Sequence, residues 1–202
     1  MPIVEATIPI HEPRAVLADL EGIDVVDPDS FEAQLYRAVS NESTKVEAVP
    51  IYNLGAEWAT GNTIVADGPV AWLYIFFEPD AVLGAAELVE REKEPELLSV
   101  SKGSHVLKTM QALRRAREEV GRSRAELRLL RIPAIHARVI WLKSSDNSQD
   151  KVIPIEPVQA PLDASARVYS ASELLDAVRS VEGPRRSSVP VEPRDARRSS
   201  KA

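Results

Sequence analysis

Residues 70–77, Val-Ala-Trp-Leu-Tyr-Ile-Phe-Phe, form the longest uninterrupted apolar run in the chain. The run begins after Gly68-Pro69 and stops at Glu78-Pro79-Asp80. A stretch this long, rich in aromatic and β-branched side chains and fenced by turn formers, predicts a strand buried on both faces. Such a strand belongs in the middle of a sheet. The reading is therefore an α+β fold, with a mixed, mostly antiparallel sheet around strand 70–77 covered by several helices.

Only a few global quantities bear on this. The chain has 202 residues, 44% of them hydrophobic, enough for one domain with a sizeable core and no staples. Cysteine is absent, which excludes disulfides, thiolate metal sites and a thiol nucleophile, and fits a reducing compartment. No Lys/Arg-led apolar segment opens the chain. No apolar run approaches the roughly 18–20 residues that span a bilayer. The expectation is a soluble, cytoplasmic protein with no membrane contact.

Charge is unevenly placed. Residues 1–101 hold 5 Lys/Arg against 19 Asp/Glu, whereas residues 102–131 hold 9 against 3. These blocks either screen one another within the fold, the ordinary use of such blocks, or leave a basic face for an anionic partner.

Along the chain, Val4, Ala6, Ile8 and Ile10 alternate as in an edge strand or a partner-facing arm, with Pro2 and Pro9 removing ladder donors. Residues 13–21 predict a short helix. Asp29 as cap and Glu32 as its capping-box partner predict another, on which Phe31, Leu35 and Val39 share a face. Residues 45–52 read as a strand weakened by Pro50. A Gly/Asn-rich loop carrying Trp58 follows, then a short strand at 63–66 and a tight turn at Asp67-Gly68 leading into 70–77. Val82, Ala85, Ala86 and Val89 recur at helical spacing, which predicts a helix over 81–93; a hairpin from Leu83 to Val100 is the rival.

The clearest helix spans 104–124. Val106, Met110, Leu113 and Val120 make its apolar stripe, widened by Leu107 and Ala116, and Lys108, Arg114, Arg115, Arg122 and Arg124 make a basic face. Leu127, Leu129 and Leu130 suggest an extended segment. Residues 135–143 predict a second strong strand, with Ile135, Ala137, Val139 and Trp141 on one face and His136, Arg138, Ile140 and Leu142 on the other. A polar turn and residues 151–157 complete a hairpin. Ser170 and Glu173 form a capping box for a last helix that Gly183-Pro184 should stop. Residues 1–182 are thus read as the globular domain and 183–202 as a disordered basic Arg/Ser/Pro tail. No internal repeat is visible.

Chemistry is sparsely signed. His11, His105 and His136 have no second ligand at metal spacing, so no metal is expected, and no motif implies a cofactor. There is no nucleophile elbow, dinucleotide fingerprint or Walker-type loop. The best local candidate is Ser101-Lys102-Gly103-Ser104-His105, where helix-start N–H groups, a hydroxyl and a lysine suit a phosphate or carboxylate; Ser104 as a simple N-cap explains the same residues. Trp58 is a candidate anchor for a ligand or partner, or a lid on the core. The basic helix face suits nucleic-acid phosphates, but the chain is acidic overall and no aromatic residue interleaves the arginines. In the tail, Arg185-Arg186-Ser187-Ser188-Val189 follows a basophilic-kinase substrate pattern, in which phosphorylation reverses local charge. The expectation is a non-enzymatic interaction or accessory protein with a protein partner or self-association. The alternative is a small-molecule enzyme or phosphate-ester binder.

Overall fold

The apolar run does form a central strand. In a computed structural model, which describes residues 27, 29–40, 43–90, 95–120, 125–158, 160–163 and 168–186, the elements in chain order are α1 (Phe31–Val39), β1 (Lys45–Asn53), β2 (Ala71–Glu78), β3 (Ala81–Glu90), β4 (Pro95–Ser101), α2 (Ser104–Val120), β5 (Ala125–Ile132), β6 (Ala137–Ser144), β7 (Lys151–Pro154), β8 (Tyr169–Ser170) and α3 (Ala171–Arg186). The first six residues of β2 are all buried. The predicted arm at 4–10, the helix at 13–21 and the tail beyond 186 lie outside the described residues.

The eight strands make one sheet, in the order β4-β3-β2-β1-β5-β6-β7-β8. Every pairing is antiparallel except β1 with β5, where Ile51, Tyr52 and Asn53 lie beside Leu129, Leu130 and Arg131. Two four-strand meanders thus meet at one parallel seam, and each is followed by a helix. Alternation along the strands divides the core. Ile51, Leu73, Ile75, Leu129 and Ile140 share a buried cluster with Val106, Met110 and Leu113 of α2. Tyr52, Leu130, Val139 and Trp141, of opposite parity, pack with Leu174 and Val178 of α3. Trp72, Tyr74 and Phe76 pack with Leu35 of α1. The faces expected for Ala137, Val139 and Trp141 against Arg138, Ile140 and Leu142 are the observed ones.

The helix expected over 81–93 is not found where its residues are described. Residues 81–90 are β3 and residues 95–101 are β4, paired antiparallel as the hairpin reading has it, while residues 91–94 lie outside the described residues. The Ala- and Glu-rich composition favours helix only locally, and β3 instead completes ladders with β2 and β4. Its apolar residues serve both faces, Ala85 towards the α2 cluster and Ala86 and Leu88 towards the α1 cluster. Pro95 is accommodated at the start of an edge strand, where a missing donor costs little. Leu98 is the extra residue in a bulge opposite Glu87 and Leu88, and it is 49% exposed. Such a bulge twists the edge away from further pairing.

Other boundaries shift for local reasons. The cap of α1 is Ser30, whose Oγ accepts from the Ala33 N–H at 3.1 Å; Asp29 contributes its carbonyl to Gln34 instead, and the expected box with Glu32 is lost, because the third helical position is then Ala33, which has no acceptor. Residues 63–66 are irregular and not a strand, and Asp67-Gly68 joins no hairpin, because β1 and β3 already flank β2. His136 is not in a strand: Pro133 opens a 3-10 turn and His136, at φ 50°, closes it as the link from β5 to β6. Leu107 stands outside the apolar stripe of α2, 45% exposed, while Thr109 is buried with its hydroxyl donating to the His105 carbonyl. The box at Ser170 and Glu173 forms, with the Ser170 N–H donating to Glu173 Oε2 at 2.8 Å. The helix it opens runs past Gly183-Pro184 to Arg186. Proline clashes partly with the Cβ of the residue before it, and Gly183 has none.

Gly84 marks where α1 meets the sheet. It sits beside a second bulge, between Phe76 and Phe77, and a Cβ there would lie 2.7 Å from Phe31 Cζ and 3.0 Å from the Ser101 carbonyl oxygen. Gly84→Val should therefore cost about 1–3 kcal/mol by forcing α1 off β3, read by urea denaturation. Gly68→Ala, where a Cβ would meet nothing within 4 Å, should change stability by less than about 0.5 kcal/mol.

Candidate functional site

The start of α2 is built from a turn that only glycine takes easily. Gly103 has φ 88°, and its carbonyl accepts the first helical bond from the Leu107 N–H at 3.2 Å. Gly103 therefore holds the capping position, and Ser104 is the first helical residue, not the cap. Ser104, His105 and Lys108 line an open cleft of about 480 Å³ with Glu156, Pro157 and Val158. Lys108 Nζ donates to Glu156 Oε2, so the nearest cation in the cleft is already matched by a carboxylate of the same chain. Lys102 turns elsewhere, its Nζ 4.7 Å from the ring centre of Phe31 on α1. Of the five predicted anion-site residues, the cleft gathers two, Ser104 and His105. Ser101 ends the edge strand β4.

Of the basic face of α2, Lys108 is taken up by Glu156. Beyond that face, Arg117 of the same helix pairs with Glu47 of β1 at 2.5 Å, and Arg131, on β5, pairs with Glu87 of β3. Both pairs join the acidic first half to the basic middle, so the charge blocks do screen one another here. Arg114 is exposed and Arg115 half-buried; Arg122 and Arg124 lie outside the described residues. Trp58 falls in a 3-10 turn (Ala56–Ala59), and its side chain lies outside what is described.

The most tightly organised polar group was not singled out by the sequence. Asp150, 1% exposed, accepts from Trp141 Nε1 at 2.9 Å and from the Ser144 N–H at 2.9 Å, with Lys143 Nζ 3.4 Å away. Its carbonyl accepts from the Ala171 N–H at 3.1 Å, tying the β6–β7 hairpin to the start of α3. The Arg128 guanidinium lies over both Tyr52 and Trp141, 4.5 and 4.8 Å from the ring centres, while pairing with Glu126. Tyr52 and Trp141 meet edge to face. Burial raises the Tyr52 phenol above its ordinary pKa; Arg128 pulls it down less strongly and Glu126 adds to the rise. A carboxylate this saturated with donors is a structural clamp. The spacing from Trp141 across the polar turn to Asp150 was its one signal in the sequence.

Among the described residues, no group of three His, Asp or Glu side chains is placed to hold a metal ion, and no helix is long and apolar enough to cross a membrane. Compared with protein-family models, curated proteins and solved structures, the chain matches none of them.

Two outcomes follow from the Asp150 network. Asp150→Ala leaves Trp141 Nε1 and the Ser144 N–H without their acceptor and should cost about 2–5 kcal/mol, seen as a lower denaturation midpoint. For Tyr52, the folded phenol stays protonated after the unfolded one ionises near pH ~10. The stability is therefore intact below that pH and falls as pH rises above it. Tyr52→Phe should flatten the alkaline limb of a melting-temperature profile against pH.

Proposed function

We propose that the protein is a non-enzymatic accessory component of the cytoplasm that works by contact with a protein partner, using the outward face of α2. The observation that carries this is the row Leu107, Gln111, Arg114 and Glu118, spaced at one face of the helix and exposed throughout. Leu107 is a large apolar side chain left 45% exposed on a helix whose opposite face is fully used by the core. Arg114 beside it has no ion pair to a described residue. An exposed apolar residue with an arginine two turns along the same face is the composition of an interface centre. The partner it suits presents acidic groups, as the first half of a second copy of this chain does.

Light scattering and affinity recovery from cell extract test this together. A dimer or a stoichiometric partner is expected, lost in Leu107→Glu and in Arg114→Glu at unchanged melting temperature. A strict monomer that recovers no partner, or a complex indifferent to both changes, overturns it.

A second reading is a phosphate-ester binder in the cleft of Ser104, His105 and Lys108, favoured by the size of that opening and the helix start beside it. A rise in melting temperature with phosphorylated sugars that Lys108→Gln abolishes would replace the first reading with this one.

A further inference from the structure

Arg131 and Arg138 sit directly opposite each other on β5 and β6. Antiparallel partners share a face, and this pair extends the row of Leu129 and Ile140, so both guanidinium groups leave the sheet on the α2 side. Like charges directly opposite are unfavourable in a ladder, and among the described residues this pair is met by a single carboxylate. Glu87, three strands away on β3, reaches Arg131 Nη2. Arg138 is partly buried and makes no side-chain hydrogen bond or ion pair to a described residue. On the other side of Arg131, at its register position on β1, stands Asn53, whose amide is exposed. Strands lie about 4.8 Å apart. Asn53, Arg131 and Arg138 therefore stand side by side on one face, their Cα atoms spanning about 10 Å.

The geometry points to an oxyanion site at Arg138 and Arg131, with Asn53 as its neutral donor, that takes a carboxylate or phosphate group of a small molecule. Guanidinium donors form a planar fork that matches either group with two parallel hydrogen bonds. The electrostatics agree. Burial lowers the Arg138 pKa from its ordinary value, Arg131 lowers it further, and Glu87 only partly restores it. A bound oxyanion opposes both causes at once. Glu87 then acts as the internal rival for Arg131, so the site is half-occupied by the chain's own carboxylate. This site differs from the cleft at Ser104 and His105, which neither arginine lines, and it does not depend on the partner proposed for α2.

Thermal melting of the full chain in chloride, inorganic phosphate and malonate at matched ionic strength tests the assignment. Binding to the native state raises the melting temperature, by about 2 °C or more once the anion exceeds its dissociation constant severalfold. A rise in phosphate alone assigns the ligand as a phosphate; a rise in malonate alone assigns it as a carboxylate. Arg138→Gln should abolish either rise. In chloride the same variant should melt no lower than the parent, because it removes a cation that pairs with no described residue from beside another. Glu87→Gln gives the independent measurement: it frees Arg131 and should tighten anion binding by about tenfold. Lys108→Gln should leave the rise unchanged. Equal melting in all three salts, a rise that survives Arg138→Gln, or weaker binding in Glu87→Gln overturns the site.

Discussion

The parallel pairing of β1 with β5 is the contact on which the arrangement depends. Parallel neighbours cannot be joined by a tight turn and need a crossover of a dozen or more residues. Here the connection carries β2, β3, β4 and the whole of α2 between them. Because the pairing sets Ile51 beside Leu129 and Tyr52 beside Leu130, it also aligns the parity of the two meanders. One row of side chains then points throughout to α2, and the other to α1 and α3. A slip of one residue at this seam would send every apolar row of one half to the wrong face.

The two halves repeat a plan that leaves no trace in the residues. Each is a four-strand meander followed by a helix, and because the first strands of the two are the adjacent parallel ones, the helices end up packed on opposite sides. The strand directions and the order of elements carry the likeness, whereas side chains at matching places differ. That explains why no repeat is legible in the chain although its topology has one.

What could be read beforehand follows the same physics. The run at 70–77, the stripe of α2, the face parity of 137–142 and the box at Ser170 were legible, because each signal is periodic or local and the tertiary fold agrees with it. Residues 81–90 read as helix and form a strand, because alanine and glutamate favour a helix in isolation, and only pairing with β2 and β4 decides otherwise. At the start of α2, the five neighbouring residues share a stretch of sequence but not a site: Lys102 goes to Phe31, and Glu156 enters from far along the chain. Asp150, Arg131 and Arg138 carry no such local signal, for the converse reason. Their partners lie across the ladder, so their meaning depends on a register no single sequence displays.

The seam has a consequence for how the chain assembles. Each meander pairs strands that follow one another in the chain, so its contacts are more local than those of the seam and form earlier, even across the longer connections at 54–70 and 155–168. The seam joins segments nearly eighty positions apart in the chain, from Ile51 to Leu129, and closing so large a loop is slow. Until it closes, β1 and β5 each present an unguarded edge flanked by apolar rows. The interval between forming the halves and zipping them is thus when this chain is most exposed to pairing with a stranger, and that hazard ends when the two centres meet.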